Sequence, residues 1–387
     1  MPLAATTDVA DVVTGLFVVL LAAKIGDEVF KRIGQPSIIG EILAGVIVGP
    51  SLLGLVEVSE VLEVFAELGV IFLLFWVGLE TRISEMQAVG KSALSVGISG
   101  VVLPFGAGLG LGLALGESTA TAVFLGAALA ATSVGITSAA LMQLDMIRTR
   151  AARTVLGAAI VDDILALILV AVATGIAAEG GLAVTEVLVV AGLAVGFVAF
   201  FALGGTRLVA QRPQILHAPK FSESPLLPAV ILCLGVAALA AQIGLAAIIG
   251  AFLAGLMVAE TKEQHPIEDE VAPLYAFFPP FFFAFIGIEL DLGALLNADA
   301  LALFAAVTGV AVLSKWVGAM IGARGLERRE AQIIAVGMVP RGEVGIIVAS
   351  IGATAGVVGD ELFAVIVAMS IATTLAVPPV LRRLRSG

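Results

Sequence analysis

Apolar runs long enough to cross a lipid bilayer recur from one end of the 387-residue chain to the other. "VLVVAGLAVGFVAFFALGG" from Val187 is one of them. A span needs roughly 20 such residues, because a helix rises about 1.5 Å per residue against about 30 Å of hydrocarbon. No water reaches the backbone there, so each span must bond its own N–H and C=O groups as a helix. Charged residues make up only 13% of the chain, and mean hydropathy is +1.14. A soluble domain of this size needs far more charged surface. The expected fold class is an all-α polytopic membrane protein.

Thirteen spans are expected, at about 8–30, 37–54, 60–80, 92–114, 119–143, 151–176, 182–208, 225–241, 244–260, 271–290, 299–322, 330–355 and 360–381. Basic residues fall in alternate loops, among them Lys31 with Arg32, Arg148 with Arg150, and Arg328 with Arg329. The loops between carry acids instead, such as Glu57, Glu117, Asp299 and Asp360. The positive-inside rule then places the N-terminus outside and the C-terminus in the cytoplasm. The first run follows Asp8 and Asp11 rather than a basic stretch, so it is expected to be a span and not a cleaved leader. Cys233 is the only cysteine, which excludes an intrachain disulfide. The net charge of −11 suits a cation-attracting surface and equally a salty habitat. His217 and His265 show no metal-ligand spacing, and no phosphate-loop, zinc or nucleophile motif is present. Neither a cofactor nor a nucleic-acid partner is expected.

Self-comparison adds a repeat. "IIGEILAGVIVGP" from Ile38 matches "IIGAFLAGLMVAE" from Ile248. "FWVGLE" ending at Glu80 matches "FAFIGIE" ending at Glu289, and "SVGITSA" from Ser133 matches "EVGIIVA" from Glu343. All three pairs are about 210 residues apart. That offset equals seven spans, an odd number, so the second copy lies upside down in the bilayer. Two inverted six-helix repeats are the expected architecture, and in secondary transporters such repeats hold the substrate at the midplane.

Two spans are interrupted at corresponding positions. "AATSVGITSA" (131–140) breaks the fifth with Thr132, Ser133, Gly135, Thr137 and Ser138; "GMVPRGEVGI" (337–346) breaks the twelfth with Pro340 and Gly342. Proline removes a backbone donor, and glycine lets the chain leave helical geometry. Unwound backbone at membrane depth is tolerated only where it lines a cavity or is buried in protein. Two crossing discontinuous helices are therefore expected, their loose carbonyls and half-helix ends meeting at the centre. The plainer reading is that the hydroxyls bond back to their own helices.

Asp162, Asp163, Lys315, Arg341, Glu343 and Glu41 lie at membrane depth. Each costs about 2.5–3.5 kcal/mol at a helix centre on insertion scales unless paired. Neighbours on a helix point about 100° apart, so Asp162 and Asp163 cannot face one space. Lys315 is the cation expected to pair with one of them, which leaves the other for the cavity. An Asp–Lys pair could also serve only to lock two helices together. Arg341 and Glu343 read as braces for the second break, and Glu41 as a helix-packing residue.

With "QPSIIGEILAGVIVGPSLLGL", "LLFWVGLE", "ATSVGIT", "AAIVDDILALI" and "VPRGEVGIIVA" in this order, the chain resembles sodium/proton antiporters of the cation:proton antiporter superfamily. The likeness covers nearly its whole length and is nearest the two-aspartate, NapA-type branch. It implies an NhaA-like fold in a plasma (inner) membrane and a homodimer. It also implies a translocating core, over about 60–176 and 271–381, that slides against a dimerisation scaffold over about 8–54 and 182–260. By the same resemblance Asp163 binds the ion, Asp162 pairs with Lys315, and Thr132 and Ser133 supply oxygens to Na⁺ or Li⁺. Asp where the electroneutral branch usually has Asn implies electrogenic exchange. A potassium/proton exchanger or a Kef-like potassium efflux protein of the same fold is the alternative. An organic-anion symporter would need an anion site, for which only Arg341 is spare. An intramembrane aspartyl protease would need its two carboxylates on separate helices.

Overall fold

A computed structural model describes residues 9–33, 35–177, 184–211, 226–260, 267–290, 293 and 298–386. His217, His265, Arg212, Lys220 and Lys262 lie outside them. The regular structure of the described residues is helical, without strands. In chain order the helices are α1 (Val9–Arg32), α2 (Ser37–Val48), α3 (Glu60–Leu79), α4 (Ile83–Ala114), α5 (Thr119–Ala130), α6 (Val134–Gln143) and α7 (Arg150–Ala177). α8 (Val184–Ala199) runs through a π-helical segment (Phe200–Gly205) into α9 (Thr206–Gln211). There follow α10 (Leu226–Gln242), α11 (Ala247–Ala259), α12 (Glu268–Phe277), α13 (Pro279–Ile288), α14 (Ala298–Gly322), α15 (Arg328–Gly337), α16 (Glu343–Thr354) and α17 (Asp360–Ser386).

Local chemistry sets several of these ends. Ser59 Oγ accepts from Leu62 N at the start of α3, where Glu60 and Glu63 also favour the positive end of the helix dipole. Ser118 caps α5 in the same way through Thr121 N. Nine helical stretches among the described residues are long and apolar enough to cross a membrane, and four shorter apolar helices accompany them. The expected span at 37–54 is helical only through Val48, because Gly49, Pro50 and the positive-φ Gly54 turn the chain. The helix expected from about residue 92 begins earlier, at Ile83.

The helices pack in two groups. α4 lies against α5, α7 and α14; α14 meets α15 and α17; α16 meets α5 and α17. In the other group α1 lies on α2, α2 on α13, and α3 on α11, α12 and α13, with α10 on α11. α8 contacts α7 while α9 contacts α11, so this run connects the groups, and α6 touches both α2 and α3. α3 thus packs with α11 and α13 with α2, α12 lying on both α3 and α13, rather than inside the first group.

Lipid tails are as apolar as leucine, so helices in a bilayer associate through close packing. Glycines provide it here. A methyl at Gly45 of α2 would collide with the Ala284 carbonyl of α13, and one at Gly287 with the Ile42 carbonyl. Between α3 and α11 the same holds for Gly78 against the Phe252 carbonyl and Gly255 against the Phe75 carbonyl. In the first group Gly97 of α4 adjoins Val161 of α7, and Gly318 of α14 adjoins the Ser99 carbonyl, with Ser99 Oγ donating to Gly318 O at 2.7 Å.

Candidate functional site

The two interrupted helices cross in contact. α5 stops at Ala130 and α6 resumes at Val134; α15 stops at Gly337 and α16 resumes at Glu343. Ala131 and Ser133 are extended, with ψ of 141° and 102°. Ser133 N donates to the Pro340 carbonyl at 2.9 Å, Thr137 Oγ1 to the Gly337 carbonyl at 2.6 Å, and Thr132 Oγ1 to the Met338 carbonyl at 3.4 Å. Gly342 is needed for this approach, since a methyl there would stand 2.7 Å from Ser133 Cβ. The unwound stretches are shorter than the sequence pattern suggests, 131–133 and 338–342. Ser138 is helical, its hydroxyl bonded back to the Val134 carbonyl at 2.7 Å.

The buried charges gather at these breaks. Lys315 and Asp162 are both wholly buried, and Lys315 Nζ lies 2.7 Å from Asp162 Oδ1. Lys315 Nζ also donates to the Ala130 carbonyl at 2.5 Å, so a cation meets the negative end of half-helix α5. Asp162 Oδ2 accepts from Thr132 N at 2.8 Å. At the second break Arg341, also wholly buried, reaches the Met338 and Ala311 carbonyls, each at 3.3 Å. Its backbone is held by α17: Arg341 N donates to Thr373 Oγ1 at 3.0 Å, and Thr374 Oγ1 donates to Arg341 O at 3.0 Å. Thr373, Thr374 and the Ala130 carbonyl escape a reading of the sequence. "ATT" inside the last span is the only mark of the two threonines.

Asp163 is buried beside this centre and lines a narrow cleft between α7, α6, α3 and α11, with Leu74, Val134, Ile160, Ile248 and Phe252. Its free space, about 10 Å³, has room for a single water-sized particle. The site thus presents a carboxylate pair split between a fixed ammonium and a narrow apolar cleft, with hydroxyl and carbonyl oxygens at the crossing. Oxygen donors of this kind suit hard cations. No cluster of three His, Cys, Asp or Glu side chains that could hold a resident metal occurs among the described residues. Glu41 is buried in α2, and among the described residues no hydrogen bond or ion pair joins it to either break. Glu343 opens α16, and its side chain lies outside the described ones.

Long apolar helices around charged, crossed breaks define a multi-pass membrane transporter of the discontinuous-helix kind. The chain belongs to the sodium/hydrogen exchanger family, whose model, described as "Sodium/hydrogen exchanger, transmembrane", matches residues 16–383. It is 38% identical to the Na(+)/H(+)-K(+) antiporter GerN of Bacillus cereus, over 94% of each chain. Identity is 33% to the high-affinity Na(+)/H(+) antiporter NhaS3 of Synechocystis sp., over 98% of this chain and 90% of that one. The fold matches the solved sodium proton antiporter MjNhaP1 of Methanocaldococcus jannaschii with a TM-score of 0.73 at 19% identity, covering 97% of this chain and 96% of that one.

Proposed function

We propose that the chain is a secondary antiporter that exchanges cytoplasmic Na⁺ or Li⁺ for external H⁺ by alternating access, with no resident cofactor. The observation that carries this reading is the division of labour at the aspartates. Lys315 and Thr132 N hold Asp162, while Asp163 lines the cleft. Asp163 binds either a proton or the cation, and Thr132 and Ser133 at the first break supply further oxygens. Arg341, Pro340 and Glu343 brace the second. The exchange is electrogenic, with the Asp162–Lys315 unit as the second proton carrier. Two protons then enter for each Na⁺ that leaves, and one net charge crosses, worth about 2.3 kcal/mol per 100 mV.

Thirteen crossings, with N-terminus outside and C-terminus in the cytoplasm of a plasma-membrane homodimer, complete the proposal. Nine long and four shorter apolar helices among the described residues support that reading, with the shorter α16 standing for the broken span α15–α16. Reciprocal contacts support the inverted repeat. The offset of about 210 residues carries Gly45 against Ala284 onto Gly255 against Phe75, and Gly287 against Ile42 onto Gly78 against Phe252. It also carries Thr132 N on Asp162 onto Arg341 N on Thr373. The moving core is best drawn as α4–α7 with α14–α17, leaving α3, α12 and α13 in the scaffold where they pack.

The test is a cation-dependent pH change in proteoliposomes of purified protein, measured for Na⁺, Li⁺ and K⁺. Asp163→Asn abolishes it in a protein that remains folded; exchange that survives this substitution overturns the assignment. A K⁺/H⁺ exchanger is the second reading, favoured by the name of the GerN relative, and the same cation series separates the two.

A further inference from the structure

One cavity has no part in the proposed exchange. It measures about 410 Å³ and lies where the end of α1 and the start of α2 meet the ends of α6 and α17. Lys31, Arg382 and Arg385 line it together with Gln35, Ser37 and Gln143, and among the described residues no carboxylate does. Lys31 is paired to Asp27 at 2.7 Å, and Arg385 Nη2 lies 3.4 Å from Asp145, a carboxylate 85% exposed. An ammonium has three donors and a guanidinium five, so each keeps donors beyond its pair. α2 begins on the same wall with no side-chain cap and no acid in its first turn. Convergent cations and an uncapped helix start are donors of the kind that recognise phosphate.

We propose that this cavity binds a phosphate group, from an anionic phospholipid headgroup or free in solution. Basic clefts between membrane helices at the interface suit headgroups, and basic residues crowd the last turns of both α1 and α17 here. The bound group bridges α1 and α2 of one helical group to α6 and α17 of the other. The proposal rests on the cavity itself, and its test needs no transport.

The experiment measures the thermal unfolding midpoint of the purified full-length protein in detergent. The additions are phosphatidylglycerol, phosphatidylcholine, inorganic phosphate, or chloride at equal ionic strength. A ligand that binds only the folded protein raises the midpoint. Phosphatidylglycerol or inorganic phosphate raises it by several degrees above the phosphatidylcholine and chloride controls, and the effective arm names the source. The rise is lost in the double variant Arg382→Gln, Arg385→Gln, and kept in Lys91→Gln, an exposed lysine outside the cavity. Gln143→Glu sets a carboxylate in the cavity from an exposed position. It abolishes the rise too, so the outcome does not hang on whether the double variant folds. No rise over the controls, or a rise of equal size in Gln143→Glu, overturns the site.

Discussion

Both carboxylate oxygens of Asp162 have fixed partners, Lys315 Nζ and Thr132 N. Removing one partner of a buried ion pair leaves the other charge uncompensated, at a cost of about 3–5 kcal/mol. Asp162→Asn alone therefore lowers thermal stability sharply, and adding Lys315→Gln restores most of it, since the two effects couple. Unfolding midpoints for the single and double variants check this; strict additivity would mean the pair is energetically idle. The double variant also moves Na⁺ without net charge, seen as loss of transport current on a supported membrane. At this scale the sequence was legible wherever a charge stood in an apolar run, which singled out Asp162, Asp163, Lys315 and Arg341. It was silent where a backbone atom does the work, as at the Ala130 carbonyl. Thr373 passed unnoticed because membrane-helix threonines commonly bond back to their own helix, as Thr373 also does to the Ser370 carbonyl.

Among the helices, the crossings at Gly45, Gly78, Gly255 and Gly287 leave no space for a side chain. Gly255→Leu separates α3 from α11 and prevents recovery of folded protein, because no flexible side chain is there to yield. Gly106→Ala and Gly110→Ala on α4, with nothing within 4 Å of the added methyl, leave stability unchanged or raise it by up to about 1 kcal/mol through helix propensity. Yields by size-exclusion profile and unfolding midpoints distinguish the two classes. The breaks were visible as Thr, Ser, Gly and Pro in apolar runs. Their extent was overread because Ser138 satisfies its hydroxyl inside the helix. The company kept by α3 and α13 was not visible, since apolar periodicity says that a face is buried and not against which neighbour.

Across the whole molecule, one ion pair links α3 of one helical group to the α6–α7 turn of the other. Arg148 Nη2 lies 2.6 Å from Glu80 Oε2. Arg148 is 70% exposed, and exposed pairs are worth about 0–1 kcal/mol. Glu80→Gln therefore changes the exchange rate by less than about fivefold, and the difference shrinks in high salt. Stopped-flow dye signals at two ionic strengths measure it; a larger effect would make the pair a principal latch. The glycine contacts also have a consequence for the order in which the chain is made. α2 meets its partner α13 only after about 240 further residues have been synthesised, and α3 waits similarly for α11. At about 5–20 residues per second that delay is roughly 10–50 s. During it the early helices sit in the membrane with notched faces open to any other nascent chain or membrane protease. A chain split between residues 211 and 226 gives a first fragment that is degraded when expressed alone and survives when the second is made beside it. Pulse-chase labelling reads this directly: for this protein, quality control acts on half-built intermediates long before any ion is carried.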